Sequence, residues 1–382
     1  MRGVLFPNPS KGHRMTASAP HLDGLDNPNP FPGLVALEQR TGKKVALRLG
    51  SNESLDAPLE LLQHEFGEQF RQLTRLYGDP SALALRQALA RIGGFDPDEL
   101  CLDSGADAVI ALCLRALCAP GDTVVCSAGT YPTFPYFARA GGCRVVEVPY
   151  QRTEQGVHAD LAQLLEQARS SGARVLYLAN PDNPTGSWAQ LPALEQLAEQ
   201  LPPGCTLLLD EAYLEFCPDL QAGSARPIPR CIRIRSMSKA YALAGLRVGY
   251  ALADKDTLAV LNKVKIHFAV GGVAQFAAQL TLDDSAGNRR IIEDNARLRE
   301  AFSRQMQAYG YRVLPSGTNF VALLLPDAQA AKQLQDTLLD HGIAVHRPPH
   351  PAFHDLIRVT VCQAALDEPV LALFAQQPRL QR

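Results

Sequence analysis

Six short apolar runs lie along the middle of the chain with helix-like stretches between them: TVVCS (123–127), CRVVEVPY (143–150), ARVLYLANP (173–181), CTLLLDEAY (205–213), CIRIRSMS (231–238) and RVGYALAD (247–254). They do not alternate apolar with polar as a half-exposed strand does. Continuous Val, Leu and Ile character means strands buried on both faces, hence a mostly parallel sheet covered by helices. The segment GADAVIALCLRALCAPGD (105–122) is apolar nearly all round and stops at Pro120-Gly121, as expected of a helix inside such a sandwich. Residues 59–284 therefore read as one large domain, and 285–382 as a smaller α+β layer. The latter holds a long charged helix (NRRIIEDNARLREAFSRQMQAYG), a strand NFVALLLP, a helix in AQAAKQLQDTLLDHG and a strand LIRVTVC. Residues 1–58 supply an arm and a segment of the small domain, the first 30 or so being irregular and rich in Pro, Asn and Gly.

A net charge of −2 gives no sign of nucleic acid or an anionic membrane as a partner. The nine cysteines are scattered singly without a CxxC pair, which points to small buried hydrophobes in a reducing cytoplasm. The N-terminus lacks the apolar stretch of a signal peptide, and no run is long enough to span a membrane. His346, His350 and His354 recur every four residues, but Pro348, Pro349 and Pro351 forbid the helix that would align them, so no metal site is expected.

Neither GxGxxG nor GxxxxGK[ST] occurs. Four other segments fall at strand ends, where open α/β sheets place ligands: SGAD (104–107), NPDNPTG (180–186), DEAY (210–213) and SMSKAYALAGLR (236–247). Each suits one part of an aromatic, phosphorylated aldehyde. Ser104, Gly105, Ala106 and Asp107 open the buried helix, whose free N–H groups and dipole hold a phosphate. Ser236 and Arg247 add a hydroxyl and a bidentate guanidinium. Asp210, ending a buried strand, persists as an anion only beside a cation, and a pyridinium nitrogen is a suitable one. Asn183 and Tyr213 can hydrogen-bond a phenolic ring oxygen, and Tyr131 can stack on the ring. Lys239 supplies an amine to form a Schiff base and then move a proton, work that needs a pKa well below that of free lysine. Each residue alone has an ordinary role in a turn, a core or an ion pair. Their joint order at strand ends describes pyridoxal 5'-phosphate.

From about residue 30 onward the chain resembles the fold-type I pyridoxal-phosphate-dependent aminotransferases of class I/II, and within them the histidinol-phosphate aminotransferase group. The matching runs are SNE (51–53), LYGDP (76–80), SGAD, TYPTF (130–134), NPDNPTG, DEAYLEF (210–216), SKAYALAGLRVGY (238–250), GTNF (317–320) and IRVTV (357–361). The resemblance implies a mixed, mostly parallel seven-stranded sheet sandwiched by helices, with a smaller α+β domain. It makes Lys239, Asp210 and Tyr213 the catalytic groups, with Ala106, Asp107, Tyr131, Asn183, Ser236 and Arg247 holding the cofactor. Tyr77 matches a tyrosine sent into the neighbouring subunit's phosphate site, which implies a homodimer with shared active sites. Arg358 matches the arginine that grips a substrate carboxylate or phosphate, and Asn52 stands on the substrate side. The implied reaction is ping-pong transfer of an amino group from a donor to a 2-oxo acid, with histidinol phosphate and 2-oxoglutarate, in histidine biosynthesis, as the leading pair.

The departures cluster where the substrate should lie. The group's NENPYGP reads NESLDAP, so its tyrosine becomes Asp56, and its GI-x-V-R arginine falls on His346, with Arg347 next. Cys362 and His267 replace a usual glycine and proline. If Asp56 lines the pocket, it repels a phosphorylated side chain and favours a basic or polar amino acid; otherwise it caps a helix beginning near Pro58. A lyase, decarboxylase or cyclase on the same scaffold is the alternative chemistry. A ligand-sensing regulator would need a DNA-binding module that the irregular arm does not supply.

Overall fold

The computed structural model describes residues 19–376 apart from 29, 31–33, 58, 59, 68 and 222–224, so most of the irregular arm and the helix start expected at Pro58 lie outside the described residues. Seven strands form the central sheet: β1 Leu100–Asp103, β2 Thr123–Ser127, β3 Arg144–Val148, β4 Val175–Ala179, β5 Thr206–Asp210, β6 Cys231–Ser236 and β7 Gly249–Leu252. Their order is β1-β7-β6-β5-β4-β2-β3. Every neighbouring pair is parallel except those of β7, which runs antiparallel to both β1 and β6. The six apolar runs supply β2 to β7. The seventh strand, β1, is four residues long, starts directly after the acidic turn Pro97–Glu99 and offers too short an apolar run to stand out.

Alternate residues of the inner strands feed two apolar layers, as the two-residue period requires. Val124, Cys126, Tyr177, Leu208, Ile232 and Ile234 pack with Val109, Ile110 and Cys113 of the helix α1, Ala106–Leu117. Val125, Leu176, Leu178, Leu207 and Leu209 pack on the opposite face with Leu164, Leu194 and Leu197. Full burial of side chains of this size is worth about 1.5–3 kcal/mol each before entropy is set against it, so both faces must be covered for such strands to be stable. β3, at the sheet edge, is the least buried strand of the seven.

A second, antiparallel sheet is built by β8 Arg312–Val313, β9 Phe320–Leu324 and β10 Leu356–Thr360. Two helices cover it: α2, Ser285–Ala308, through Phe302 and Met306, and α3, Ala328–Asp340, through Leu334 and Leu338. Both helices are capped by aspartates, Asp284 taking the Gly287 N–H at 2.9 Å and Asp327 the Ala330 N–H at 2.8 Å. The N-terminal residues Leu47–Arg48 pair in parallel with Ile343–Ala344, and the Leu49 carbonyl accepts from the Thr360 N–H at 2.7 Å. No helix among the described residues is long and apolar enough to cross a membrane.

Candidate active site

The C-terminal ends of the parallel strands, the N-terminus of α1 and the segment around residue 50 enclose a cavity of about 900 Å3. Lys239, Asp210, Tyr213, Ala106, Asp107, Tyr131, Asn183, Ser236, Arg247, Arg358, Asn52 and His346 all line it. Two of the expected site residues do not. Tyr77 is 86% exposed on the outer surface, its ring 4.8 Å from that of Phe268. Asp56, expected as a possible pocket carboxylate, is corrected: it is exposed outside the cavity, and its Oδ2 accepts the Gln363 N–H at 2.6 Å at the start of the short helix Gln363–Leu366.

The end of the cavity at α1 is an anion cup formed by close backbone approach. Gly105, at φ 85°, precedes the helix, and a Cβ on it would fall 2.5 Å from a guanidinium nitrogen of Arg247. A Cβ on Gly249 would fall 2.5 Å from Ala106 N. Only glycine at both positions lets β7 and Arg247 close on the free N–H groups of α1. Arg247 donates to Ser238 Oγ at 3.3 Å and to the Ala244 carbonyl at 3.0 Å, while Asp107 Oδ2 lies 3.6 Å away. Ser238, which lines the cavity beside Ser236, is a member of the cup that the sequence reading left out of the site.

Asp210 is buried at the end of β5, and its hydrogen-bond partners among the described residues, Tyr177 and the Ala212 N–H, are neutral. Burial pushes its carboxyl up to about 6. Tyr131 flanks this space and donates from its hydroxyl to Asp107 Oδ1 at 2.8 Å. Tyr213, packed edge-on to Phe320, accepts at its hydroxyl a 2.8 Å hydrogen bond from Asn52 Nδ2. Lys239 Nζ donates to the Ser51 carbonyl at 3.1 Å, and Ser54 Oγ donates to the Lys239 carbonyl at 2.6 Å. Burial, followed by the nearby Arg358 cation, lowers the Lys239 amine to about 8.

Arg358, on β10, donates to Asn183 Oδ1 and, at 2.7 Å, to the Gly50 carbonyl, while its buried Nε has no hydrogen-bond partner among the described residues. His346 exchanges two backbone hydrogen bonds with Arg358 and is held well below the ordinary histidine range by burial and that guanidinium. The other two histidines of the four-residue series point elsewhere: His350 is 3.4 Å from Glu147, and His354 bonds the Pro349 carbonyl. Arg40, Arg48 and Arg347 also line the cavity, the first two being exposed on the N-terminal segment. Nothing in the sequence had singled out Arg40 or Arg48.

A helix-terminal anion cup, a buried carboxylate hydrogen-bonded to neutral groups among the described residues, and a lysine of lowered pKa facing one cavity fit a phosphorylated pyridine aldehyde. The aminotransferase class I and II family model matches residues 44–376. The chain is 31% identical over 372 residues to histidinol-phosphate aminotransferase of Roseiflexus castenholzii, covering 94% of this chain and 97% of that protein. It is 32% identical to an aromatic amino acid aminotransferase of Corynebacterium efficiens, over 84% of this chain and 90% of the other. Histidinol-phosphate aminotransferase from Sinorhizobium meliloti, solved with pyridoxal-5'-phosphate, superposes with a TM-score of 0.85 at 34% identity, covering 95% of this chain and 96% of that one. The chain belongs to the class I and II aminotransferases. It is a transaminase that depends on pyridoxal 5'-phosphate.

Proposed function

We propose that this transaminase moves an amino group between histidinol phosphate and 2-oxoglutarate. The observation that carries this reading is the charge of the cavity wall. Arg40, Arg48 and Arg347 line it, Arg48 lying 3.6 Å from Glu53 of the same wall, so the arginines outnumber the carboxylate beside them, and Asp56 is engaged elsewhere. Guanidiniums match a phosphate ester by charge and by geometry.

Pyridoxal 5'-phosphate, when bound, supplies an electron sink for the carbanion formed at the substrate's amine-bearing carbon. Asp210 would meet its ring nitrogen, Asn183 and Tyr213 its phenolic oxygen, and Tyr131 its ring face. Ala106, Asp107, Ser236, Ser238 and Arg247 would hold its phosphate. Lys239 Nζ would hold the cofactor at its aldehyde carbon, and its free amine is the group placed to accept and return the proton of the substrate carbon. An amine held near 8 suits this two-way traffic, since both protonation states are accessible near neutrality. Arg358 and Asn52 orient the substrate, and His346 adds a neutral hydrogen-bonding wall.

The cavity lies between a large cofactor-binding domain, 59–284, and a small domain of 285–382 joined by the 1–58 segment. The active unit is a cytoplasmic homodimer in which Tyr77, exposed among Leu76, Ile266 and Phe268, completes the phosphate site of the partner.

Single-turnover loss of the cofactor's visible absorbance, with histidinol phosphate, histidinol and free aromatic or basic amino acids as donors, tests the substrate. Histidinol phosphate reacts fastest, and Arg48→Ala and Arg347→Ala slow it more than they slow histidinol. Preference for an unphosphorylated donor overturns the reading, and release of carbon dioxide or ammonia overturns transfer as the reaction.

A further inference from the structure

Asp210 is held by a residue that the sequence places simply in the core. Tyr177, on β4, is fully buried, and its hydroxyl donates a 2.7 Å hydrogen bond to Asp210 Oδ2. The other carboxylate oxygen takes the Ala212 N–H at 3.1 Å. Ala179 is the register partner of Asp210, so Tyr177, two residues earlier, shares its face and reaches the carboxylate from inside the sheet. The Tyr177 ring stacks on buried Phe134, with centroids 4.4 Å apart and planes 10° from parallel. The strand fixes the Cα and the stack fixes the ring plane, so the hydroxyl has little freedom to turn away.

We propose that Tyr177 is a positioning residue for transamination: its hydroxyl holds the Asp210 carboxylate in place against the cavity, where the cofactor's ring nitrogen meets it. This rests on the assignment of Asp210 to that nitrogen and names the group that keeps the carboxylate available to it. A hydroxyl donor stabilises a carboxylate over its acid. Burial drives Asp210 toward the acid, and the neighbouring charges of Asp107 and Glu211 push the same way, while the Tyr177 hydroxyl is the largest opposing influence. Tyr177 does not lose its own proton in exchange, because burial and Asp210 hold its hydroxyl far above the ordinary tyrosine range.

The test is the dissociation constant of pyridoxal 5'-phosphate from the apoenzyme, read by fluorescence titration from about pH 5 to about pH 9, a span covering the carboxylate and amine titrations. At neutral pH Tyr177→Phe binds the cofactor about ten- to a hundredfold more weakly, the usual worth of a hydrogen bond to a charged group. The deficit narrows as pH rises, because the carboxyl still ionises, only later. Asp210→Ala is weak at every pH. Wild-type binding by Tyr177→Phe beside a severe Asp210→Ala defect overturns the role of Tyr177 and leaves the Asp210 assignment standing. Wild-type binding by both variants removes the assignment itself. A weakening of Tyr177→Phe that is equal at all pH values marks a packing defect and also overturns the proposal. Should Tyr177→Phe fail to fold, Phe134→Leu keeps the hydroxyl but frees the ring; it shows a smaller deficit of the same pH form, and an unshifted profile refutes the idea.

Discussion

Asn52 Nδ2 and Tyr213 Oη are joined by a 2.8 Å hydrogen bond across 161 residues of sequence. Asn52 is 1% exposed and adopts a left-handed backbone, φ 54°, a conformation asparagine tolerates better than most residues. Its N–H donates to Thr360 Oγ1 at 2.8 Å, and that hydroxyl donates back to Asn52 Oδ1 at 3.0 Å. Asn52→Ala therefore strands the Tyr213 and Thr360 hydroxyls, on two other segments, at once. The expected loss is about 1–3 kcal/mol of stability, the cost of unpaired buried polar groups. It is measured by urea unfolding and accompanied by a lower kcat as Tyr213 loses its anchor.

Capture of pyridoxal 5'-phosphate by the apoenzyme should accelerate with pH through about 8, because the neutral Lys239 amine is the reactive form and that is where burial and Arg358 place its titration. Removing the Arg358 charge favours the ammonium, so Arg358→Met moves the midpoint upward. Stopped-flow absorbance reads both profiles; coincident midpoints refute the electrostatic coupling. Lys239→Ala loses the visible band of the attached cofactor and all turnover, and repeated turnover by it would sink the attachment role.

Gly249→Ala places a methyl group where Ala106 N and the Gly105 carbonyl carbon would each lie 2.5 Å away, and neither is a side chain that can swing aside. The variant should fold less stably and bind inorganic phosphate and the cofactor at least about tenfold more weakly. Isothermal titration of the apoenzyme with each ligand decides it, and unchanged phosphate affinity would remove the anion cup from this place.

Substitution at Asp56 should alter stability rather than specificity. Asp56→Ala loses the cap on the Gln363 N–H and costs about 1 kcal/mol, the usual worth of such a cap. The ratio of kcat/KM for histidinol phosphate to that for a basic amino acid stays as in the parent enzyme. A changed ratio with unchanged thermal stability would return Asp56 to the pocket.

Hybrid assembly tests the proposed dimer. Neither Lys239→Ala nor Tyr77→Phe dimers should approach normal activity, but exchange of their subunits creates sites with both groups intact. Activity appears on mixing in step with exchange followed by native mass spectrometry; exchange without recovery contradicts a contribution from Tyr77.

What the sequence makes legible is chemistry that demands a residue type at a chain position. A lysine followed eight residues later by an arginine, between two apolar strands, has few ordinary uses, so Lys239 and Arg247 stand out as candidates in the sequence, and both line the cavity. Tyr177 could not, because an aromatic inside an apolar strand looks like core packing until the register of β4 on β5 sets it beside Asp210. Asp56 misled for the converse reason. It lies four residues from Asn52 in the chain, yet its partner is Gln363, and only the folded path separates the two environments. Arg40 and Arg48 were hidden among ordinary charged residues, since exposure along a sequence does not reveal which exposed side chains border a cavity.

The pairing of Leu47–Arg48 with Ile343–Ala344, and of Leu49 with Thr360, sets an order on biosynthesis. Residues 47–49 thus wait for partners that are made about three hundred residues later. β1 to β7, Lys239 and the anion cup are all translated before Arg358 and Thr360 emerge, so the part of the cavity wall that β10 contributes is made after the rest. A chain interrupted before β10 therefore carries Lys239 and the residues of the anion cup but neither Arg358 nor the Thr360 hydroxyl that holds Asn52.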